Sequence, residues 1–233
     1  MHTNKFSLPQ GVVTFSYTLS EHIYTLITGG RPPAADWLQE ALCGKLWAID
    51  HGIDLCYAMN RIPDFLLGDG DSAAPAAWDW ALTAGVEAER FHVKKDLTDT
   101  QIALTKIKAT SPDAFLLLTG AFGGRFDHAI STLFSCAFSN IPMILADEKE
   151  ACFFLHGKDS LTFQAAKKPK ALSLLSLTAE CRGISVTGTE WQLENAVLRS
   201  DAPYAVSNEL AADSSSFSVR LKEGTLAVYL YWQ

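Results

Sequence analysis

Between Ile23 and Ala146, short apolar runs alternate with stretches whose apolar positions recur at helical spacing. This is the pattern of βα units feeding a mostly parallel sheet. The runs Ile23–Thr28, Lys45–Ile49, Asp64–Leu67, Arg90–Val93, Ala114–Thr119 and Pro142–Leu145 predict strands. Pro33–Leu42, Pro75–Thr83, Thr98–Lys108 and Asp127–Phe138 predict helices. After Asp147 the helical spacing disappears. Cys152–Leu155, Leu161–Gln164, Ala171–Leu177, Ile184–Thr187, Phe217–Leu221 and Leu226–Tyr231 are short strand-like segments parted by Gly, Ser, Asp and Pro, which predicts an all-β sandwich. The expected architecture is therefore α/β: an N-terminal, mostly parallel sheet flanked by helices over residues 1–147, and a C-terminal all-β sandwich domain over residues 148–233. Asp147-Glu148-Lys149-Glu150 reads as a linker or a tight charged turn. Val12–Tyr17 reads as an added edge strand whose partner the sequence does not identify.

A chain of 233 residues with 48% hydrophobic content can bury a substantial core. Its formal charge of -7 argues against a general nucleic-acid binder, because phosphate neutralisation needs clustered Lys and Arg. The one compact basic run, Lys167-Lys168-Pro169-Lys170, reads as a solvated loop. The five cysteines are scattered and form no CxxC pair, so neither a zinc site nor a disulfide framework is expected. The first ten residues lack the basic start and apolar core of a signal peptide, and no run is long enough to span a bilayer. A reducing cytoplasm, with no membrane partner, is the expected setting.

Strands of a parallel sheet point the same way, so the loops that follow them gather at one edge. Those loops are acidic. Lys45–Ile49 is followed by Asp50-His51-Gly52, Asp64–Leu67 by Gly68-Asp69-Gly70-Asp71-Ser72, and Arg90–Val93 by Lys94-Lys95-Asp96-Leu97-Thr98-Asp99. Closely spaced aspartates repel one another unless a cation or a hydrogen-bond donor compensates them. Ala114–Thr119 is followed by Gly120-Ala121-Phe122-Gly123-Gly124-Arg125-Phe126-Asp127-His128, a glycine-rich loop that opens a helix. Magnesium takes oxygen ligands and completes its shell with water and phosphate. Backbone N–H groups of the loop and the fork of Arg125 suit phosphate oxygens. A crevice for magnesium and phosphate is thus predicted. Singly, each residue has a plainer account: Asp71 or Ser72 capping the helix near Pro75, Asp99 favouring a helix dipole, Asp127 as an N-cap, Arg125 as a surface ion-pair partner. No GxxxxGK[ST] occurs, Thr28-Gly29-Gly30-Arg31 does not match GxGxxG, and no GxSxG elbow is present.

The ordered set GDGDS at 68–72, KDLTD at 95–99 and GGRFDH at 123–128 resembles the thiamine pyrophosphokinase family. Val206-Ser207-Asn208-Glu209 and Gly188-Thr189-Glu190-Trp191-Gln192-Leu193 resemble elements of that family's C-terminal domain. The resemblance implies an α/β nucleotide- and metal-binding domain, a β-sandwich that binds thiamine and dimerises, and a homodimer. It implies that ATP and thiamine give AMP and thiamine diphosphate, with Mg2+ as cofactor. By motif position it assigns the metal to Asp69, Asp71 and Asp99, and catalytic roles to Asp71, Asp99, Arg125 and Asp127. ATP contacts fall to Asp50, Lys95, Thr98, Gly123, Gly124, Arg125, Asp127 and His128, and thiamine contacts to Trp191, Ser207 and Asn208. Two places depart from the family pattern. Where DGGAN is common, this chain has Asp50-His51-Gly52-Ile53-Asp54, and the aromatic usual between the two aspartates is Gly70. A magnesium-dependent pyrophosphotransferase or phosphohydrolase acting on another alcohol or nucleotide, and a non-catalytic sensor of thiamine or nucleotide, stay open as alternatives. Trp191 has a plainer account as a packing residue.

Overall fold

A computed structural model of the chain describes residues 3–70, 73–91 and 96–232. Two compact units emerge. One is continuous, Ser20–Asp147; the other joins the described residues up to Leu19 with those from Glu148 onward.

The β unit starts with a hairpin, β1 (Lys5–Leu8) and β2 (Gly11–Phe15). Both strands alternate buried and less buried positions, as strands with one face on a core do. Its remaining strands are introduced below, after the α/β unit that interrupts it.

The α/β unit runs β3 (Ile23–Ile27), α1 (Ala35–Ala41), β4 (Lys45–Ile49), α2 (Gly52–Ala58), β5 (Phe65–Gly68), α3 (Pro75–Thr83), β6 (Glu87–Arg90), α4 (Asp99–Thr110), β7 (Phe115–Thr119), α5 (Phe126–Ala137) and β8 (Met143–Ala146). Its strands lie in the order β8-β7-β3-β4-β5-β6, every neighbouring pair parallel. The central strands read as continuous apolar runs because both of their faces are covered; all five residues of β7 are buried. From β3 the chain steps outward through β4, β5 and β6, then returns to place β7 on the other side of β3. The order of winding therefore reverses between β3 and β7, and crevices for ligands form outside the carboxyl ends of strands at such a point.

After Glu148 come β9 (Glu150–His156), β10 (Asp159–Ala165), β11 (Ala171–Ser176), β12 (Glu180–Thr187), β13 (Leu193–Arg199), β14 (Ser216–Leu221) and β15 (Thr225–Tyr231). Within this unit β1-β2-β10-β14-β12-β13 and β11-β15-β9 form two antiparallel layers. Phe163 of β10 is the pivot of the core between them: its ring lies 5.9 Å from that of Phe153 on β9, 5.8 Å from Phe217 and 6.0 Å from Trp232.

The α/β architecture with its mixed strands accords with the sequence reading, and several details correct it. The Val12–Tyr17 segment is no edge strand: β2 lies between β1 and β10, paired to both, so the N-terminal residues join the β unit and not the α/β unit. The strand expected at Arg90–Val93 lies earlier, at Glu87–Arg90, on the sheet edge where charged residues are tolerated; residues 92–95 lie outside the described residues. Helix α2 and strands β1 and β13 were not foreseen. The boundary between the units falls between Asp147 and Glu148, inside the segment read as a linker or tight turn, but Asp147 itself is held firmly. Its side chain is fully buried and paired with the guanidinium of Arg31. All five cysteines are free thiols, and Lys167, Lys168 and Lys170 stand on an exposed loop. Among the described residues, no helix is long and apolar enough to cross a membrane.

Candidate functional site

A cleft of about 790 Å³ opens at the carboxyl ends of the parallel strands. Asp50 follows β4, Asp69 follows β5, Asp96, Thr98 and Asp99 lead into α4, and Gly123, Gly124, Arg125, Asp127 and His128 follow β7; all line this one cleft. The aspartates that the sequence reading brought together are thus gathered, apart from Asp71, which with Ser72, Lys94 and Lys95 lies outside the described residues.

The reversal point explains who else is present. Thr28, Gly29 and Gly30, at the end of β3, line the cleft beside Gly120 and Ala121 at the end of β7. Gly30 N–H donates to the Gly120 carbonyl at 2.8 Å, Arg31 N–H to Phe122 at 2.7 Å, and the Thr28 hydroxyl to Gly120 at 2.8 Å. The Thr28–Arg31 segment thereby forms one wall of the glycine-rich loop. Sequence reasoning set it aside for failing the dinucleotide motif; the available signal was a Gly-Gly pair directly after a buried strand. Gly123 and Gly124 both hold left-handed backbone, with φ of 69° and 67°, which a side chain would strain.

Helix α4 starts with a complete capping box. The Thr98 hydroxyl accepts from Gln101 N–H at 3.2 Å, and the Gln101 side chain accepts from Thr98 N–H at 2.9 Å. Thr98 is therefore an N-cap that fixes where Asp99 enters the cleft, and Asp99 itself is not the cap. Helix α3 is entered through Ala74, whose backbone N–H donates to Asp54; the plain account of Asp71 or Ser72 as its cap falls on residues outside the described ones. Asp127 is in the first turn of α5 and is not an N-cap either. It is the bidentate partner of Arg125, with Nε at 3.1 Å and the terminal nitrogen at 2.6 Å. Hydrogen bonding from Arg125 holds the Asp127 carboxyl below the usual carboxylate range, and Asp127 in turn raises Arg125. The arginine fork expected for phosphate is thus occupied by a neighbouring anion, which keeps the guanidinium oriented at the mouth of the glycine loop.

The donor chemistry of the cleft suits a hard cation, since its ligands are carboxylate oxygens. Among the described residues, no three His, Cys, Asp or Glu stand close enough to form a ligand group by themselves. Magnesium commonly takes one or two carboxylates and fills its shell from water and phosphate, so such a set fits it.

In the β unit the other predicted residues also meet. Trp191 is 60% exposed. Its backbone is clasped by Asn208, whose side-chain oxygen accepts from Trp191 N–H at 3.1 Å and whose amide donates to the Trp191 carbonyl at 2.6 Å. The Thr189 hydroxyl donates to the same carbonyl at 3.1 Å. Ser207 N–H bonds Ser173 Oγ at 3.0 Å. The packing account of Trp191 does not hold, because the indole is not in the core; Trp78, by contrast, is fully buried. The Asn208 amide thus holds the Trp191 loop.

Among the described residues, five that are not glycine have positive φ. Three are Asn, which tolerates the left-handed region; the others are Asp50 and Ser207, at 51° and 59°. Both belong to the sets singled out from sequence, and backbone strain concentrates at functional sites.

Comparison with known proteins accords with this geometry. The model of the thiamin pyrophosphokinase catalytic domain matches residues 42–145, and that of the thiamin pyrophosphokinase vitamin B1 binding domain matches residues 160–226. Thiamine pyrophosphokinase 1 of Oryza sativa subsp. japonica is 27% identical over 146 residues, 59% of this chain and 55% of the relative's length. The thiamine pyrophosphokinase of Bacillus subtilis (strain 168) is 24% identical over 177 residues, 74% of this chain and 82% of that one. Among solved structures, thiamine pyrophosphokinase from Bacillus subtilis superposes with a TM-score of 0.78 at 20% identity, covering 91% of this chain and 99% of that chain. Yeast thiamin pyrophosphokinase gives 0.71 at 15% identity, covering 91% and 87%. The chain thus spans little more than half the length of the rice relative, while the shared fold extends over nearly all of the bacterial structure. Both family models match in order on the two units, and the chain belongs to the thiamin pyrophosphokinase family.

Proposed function

We propose that the protein is a thiamine diphosphokinase that transfers the diphosphate group of ATP to the hydroxyl of thiamine, giving thiamine diphosphate and AMP. One observation carries this reading: a single cleft at the winding reversal gathers Asp50, Asp69 and Asp99 with the glycine loop and its Arg125–Asp127 pair. The paired match of catalytic and vitamin-binding models favours this reading over a hydrolase for another alcohol or nucleotide, and the carboxylates gathered in the cleft weigh against a non-catalytic sensor.

In this reading the N–H groups of Gly123 and Gly124 and the helix start at Arg125 hold the polyphosphate. Phosphate oxygens take over part of the Arg125 fork from Asp127, and His128 and Asp50 border the nucleotide. Asp69 and Asp99, together with Asp71, hold Mg2+. The bound ion supplies charge neutralisation across the phosphates, the main requirement of phosphoryl transfer along with alignment. Thr98 acts through its cap by setting the position of Asp99. Lys95 adds a further phosphate contact. Trp191 stacks on the thiamine rings, Ser207 borders them, and Asn208 keeps the tryptophan loop in shape.

The reading includes a β-sandwich domain devoted to thiamine and to homodimer formation. Val197, Tyr204 and Val206, exposed in the same unit as Trp191, are in keeping with an interface. Five free thiols are in keeping with a reducing cytoplasm.

The decisive experiment incubates the protein with ATP, Mg2+ and thiamine and resolves nucleotides and thiamine esters. Thiamine-dependent AMP with an equal amount of thiamine diphosphate supports the proposal. ADP or free phosphate in place of AMP, or no turnover, overturns it.

A further inference from the structure

The loop that carries Asp69 leaves a sheet held in place as far as Gly68. Asp50 N–H donates to the Leu67 carbonyl at 2.7 Å, and Phe91 N–H to the Gly68 carbonyl at 3.2 Å. Two residues on, Gly70 stands against Trp78 of α3. A Cβ placed on Gly70 would lie 3.1 Å from Cε2 of that indole, 3.3 Å from Nε1 and 3.4 Å from Cζ2. The backbone there is left-handed, with φ of 74°, so glycine suits both the conformation and the close approach. The nitrogen-bearing edge of the indole is therefore the part that meets the loop.

Trp78 is 2% exposed. The Arg90 guanidinium lies 4.5 Å from its ring, and Arg90 is the register neighbour of Gly68 across β5 and β6. That cation–π contact steadies the ring from one face. Yet the buried Nε1–H has no hydrogen-bond partner among the described residues. An indole N–H only donates, and a buried one normally has an acceptor. Packing alone does not call for a donor at this edge, and leaving it unsatisfied costs free energy. Asp69 lines the cleft one residue before the contact, so a bond made here fixes where its carboxylate stands.

We infer that Trp78 is a positioning residue for the acidic loop: with MgATP in the cleft, its Nε1–H donates to an oxygen of the Asp69–Gly70 segment and holds Asp69 in place. Trp78 touches neither substrate nor metal and acts only through the loop. This inference rests on the reading of the cleft as the nucleotide and magnesium site.

The test follows the Trp78 indole N–H resonance in the 15N-labelled full chain, assigned in the parent through its own side chain, during titration with MgATP and no thiamine. The resonance is expected to move downfield and to exchange more slowly with solvent, saturating together with the backbone amides of Gly123 and Gly124. Trp78→Phe keeps an aromatic ring and removes the donor. It is expected to weaken MgATP binding about tenfold by calorimetry, the effect of one such hydrogen bond, with the thiamine KM unchanged. If the Trp78 resonance stays still while Gly123 and Gly124 respond, the inference is wrong and the proposed function stands. A folded Trp78→Phe that binds MgATP within about twofold of the parent, whatever its melting temperature, marks Trp78 as a packing residue and also overturns it. If no resonance of the cleft responds to MgATP, the proposed function falls as well.

Discussion

Asn208→Ala isolates the clasp on the Trp191 loop. The substitution removes the acceptor for Trp191 N–H at 3.1 Å and the donor to its carbonyl at 2.6 Å. It leaves in place the backbone bond from Glu190 N–H to the Glu209 carbonyl at 2.9 Å. Each lost bond contributes about 0.5–1.5 kcal/mol, and Asn208 is only half-buried, so the pair together contributes about 1–2 kcal/mol to holding the loop. That changes the local opening equilibrium by about 5- to 30-fold. Hydrogen exchange followed by mass spectrometry on peptides spanning Trp191 should show its amide exchanging faster by that factor, while the cores of β10 and β14 keep their protection. If the indole is the thiamine platform, thiamine binding weakens severalfold, because the competent loop geometry is then populated only part of the time. Trp191→Ala should weaken thiamine binding further, by about 1–3 kcal/mol if the stacking resembles that of other planar heterocycles on aromatic side chains, with little change in melting temperature for so exposed a residue. Unchanged exchange at Trp191 would refute the clasp. Faster exchange with unchanged thiamine affinity would refute the link between loop and ligand.

Asp99→Asn should lower kcat by at least about 100-fold, as loss of a charge-stabilising group at a phosphoryl-transfer site does, with an unaltered circular dichroism spectrum; a near-normal rate removes Asp99 from the mechanism. Asp147→Ala leaves the Arg31 guanidinium without its buried partner. Breaking such a pair costs about 3–5 kcal/mol, and the partial exposure of Arg31 puts the expectation at the lower end; a urea midpoint shift worth less than about 1 kcal/mol contradicts the pairing. For Asp127, whose carboxyl is depressed chiefly by its hydrogen bond from Arg125, the pair's contribution is fully present above the ordinary carboxyl pKa. It is lost as pH falls through the depressed value. Carboxyl NMR should therefore find Asp127 titrating below the ordinary aspartate range, and Arg125→Ala should return it there.

Much of the α/β unit was legible because its strands are apolar on both faces and its helices are bounded by strong signals. Lys45–Ile49 and Pro75–Thr83 emerged with the expected bounds. Helix α2 escaped because it is only seven residues long and follows its strand with no cap residue or proline to mark it. Strand β13 escaped because Leu193–Arg199 has a single buried side chain, Leu198, and so carries no clear alternation. The acidic loops were readable as a group, since each follows a strand. The Thr28–Gly30 wall was not, because its place in the cleft follows from β3 and β7 being neighbours, which local sequence does not encode. Nor could spacing alone show that Arg125 and Asp127 engage each other, or that Asn208 serves the tryptophan backbone.

The pairing of β2 with β10 brings Val13 alongside Phe163, with an entire autonomous unit intervening in the chain. During synthesis the Ser20–Asp147 unit has all of its sheet before β10 has been made, so it is able to mature first. The opening hairpin, meanwhile, waits with an unsatisfied edge. Closing that long excursion adds entropy only logarithmically with its length, but it delays the pairing in time. Assembly of the β layers is thereby the late step on the ribosome, and the nascent hairpin is the segment most exposed to wrong partners until the last strands arrive.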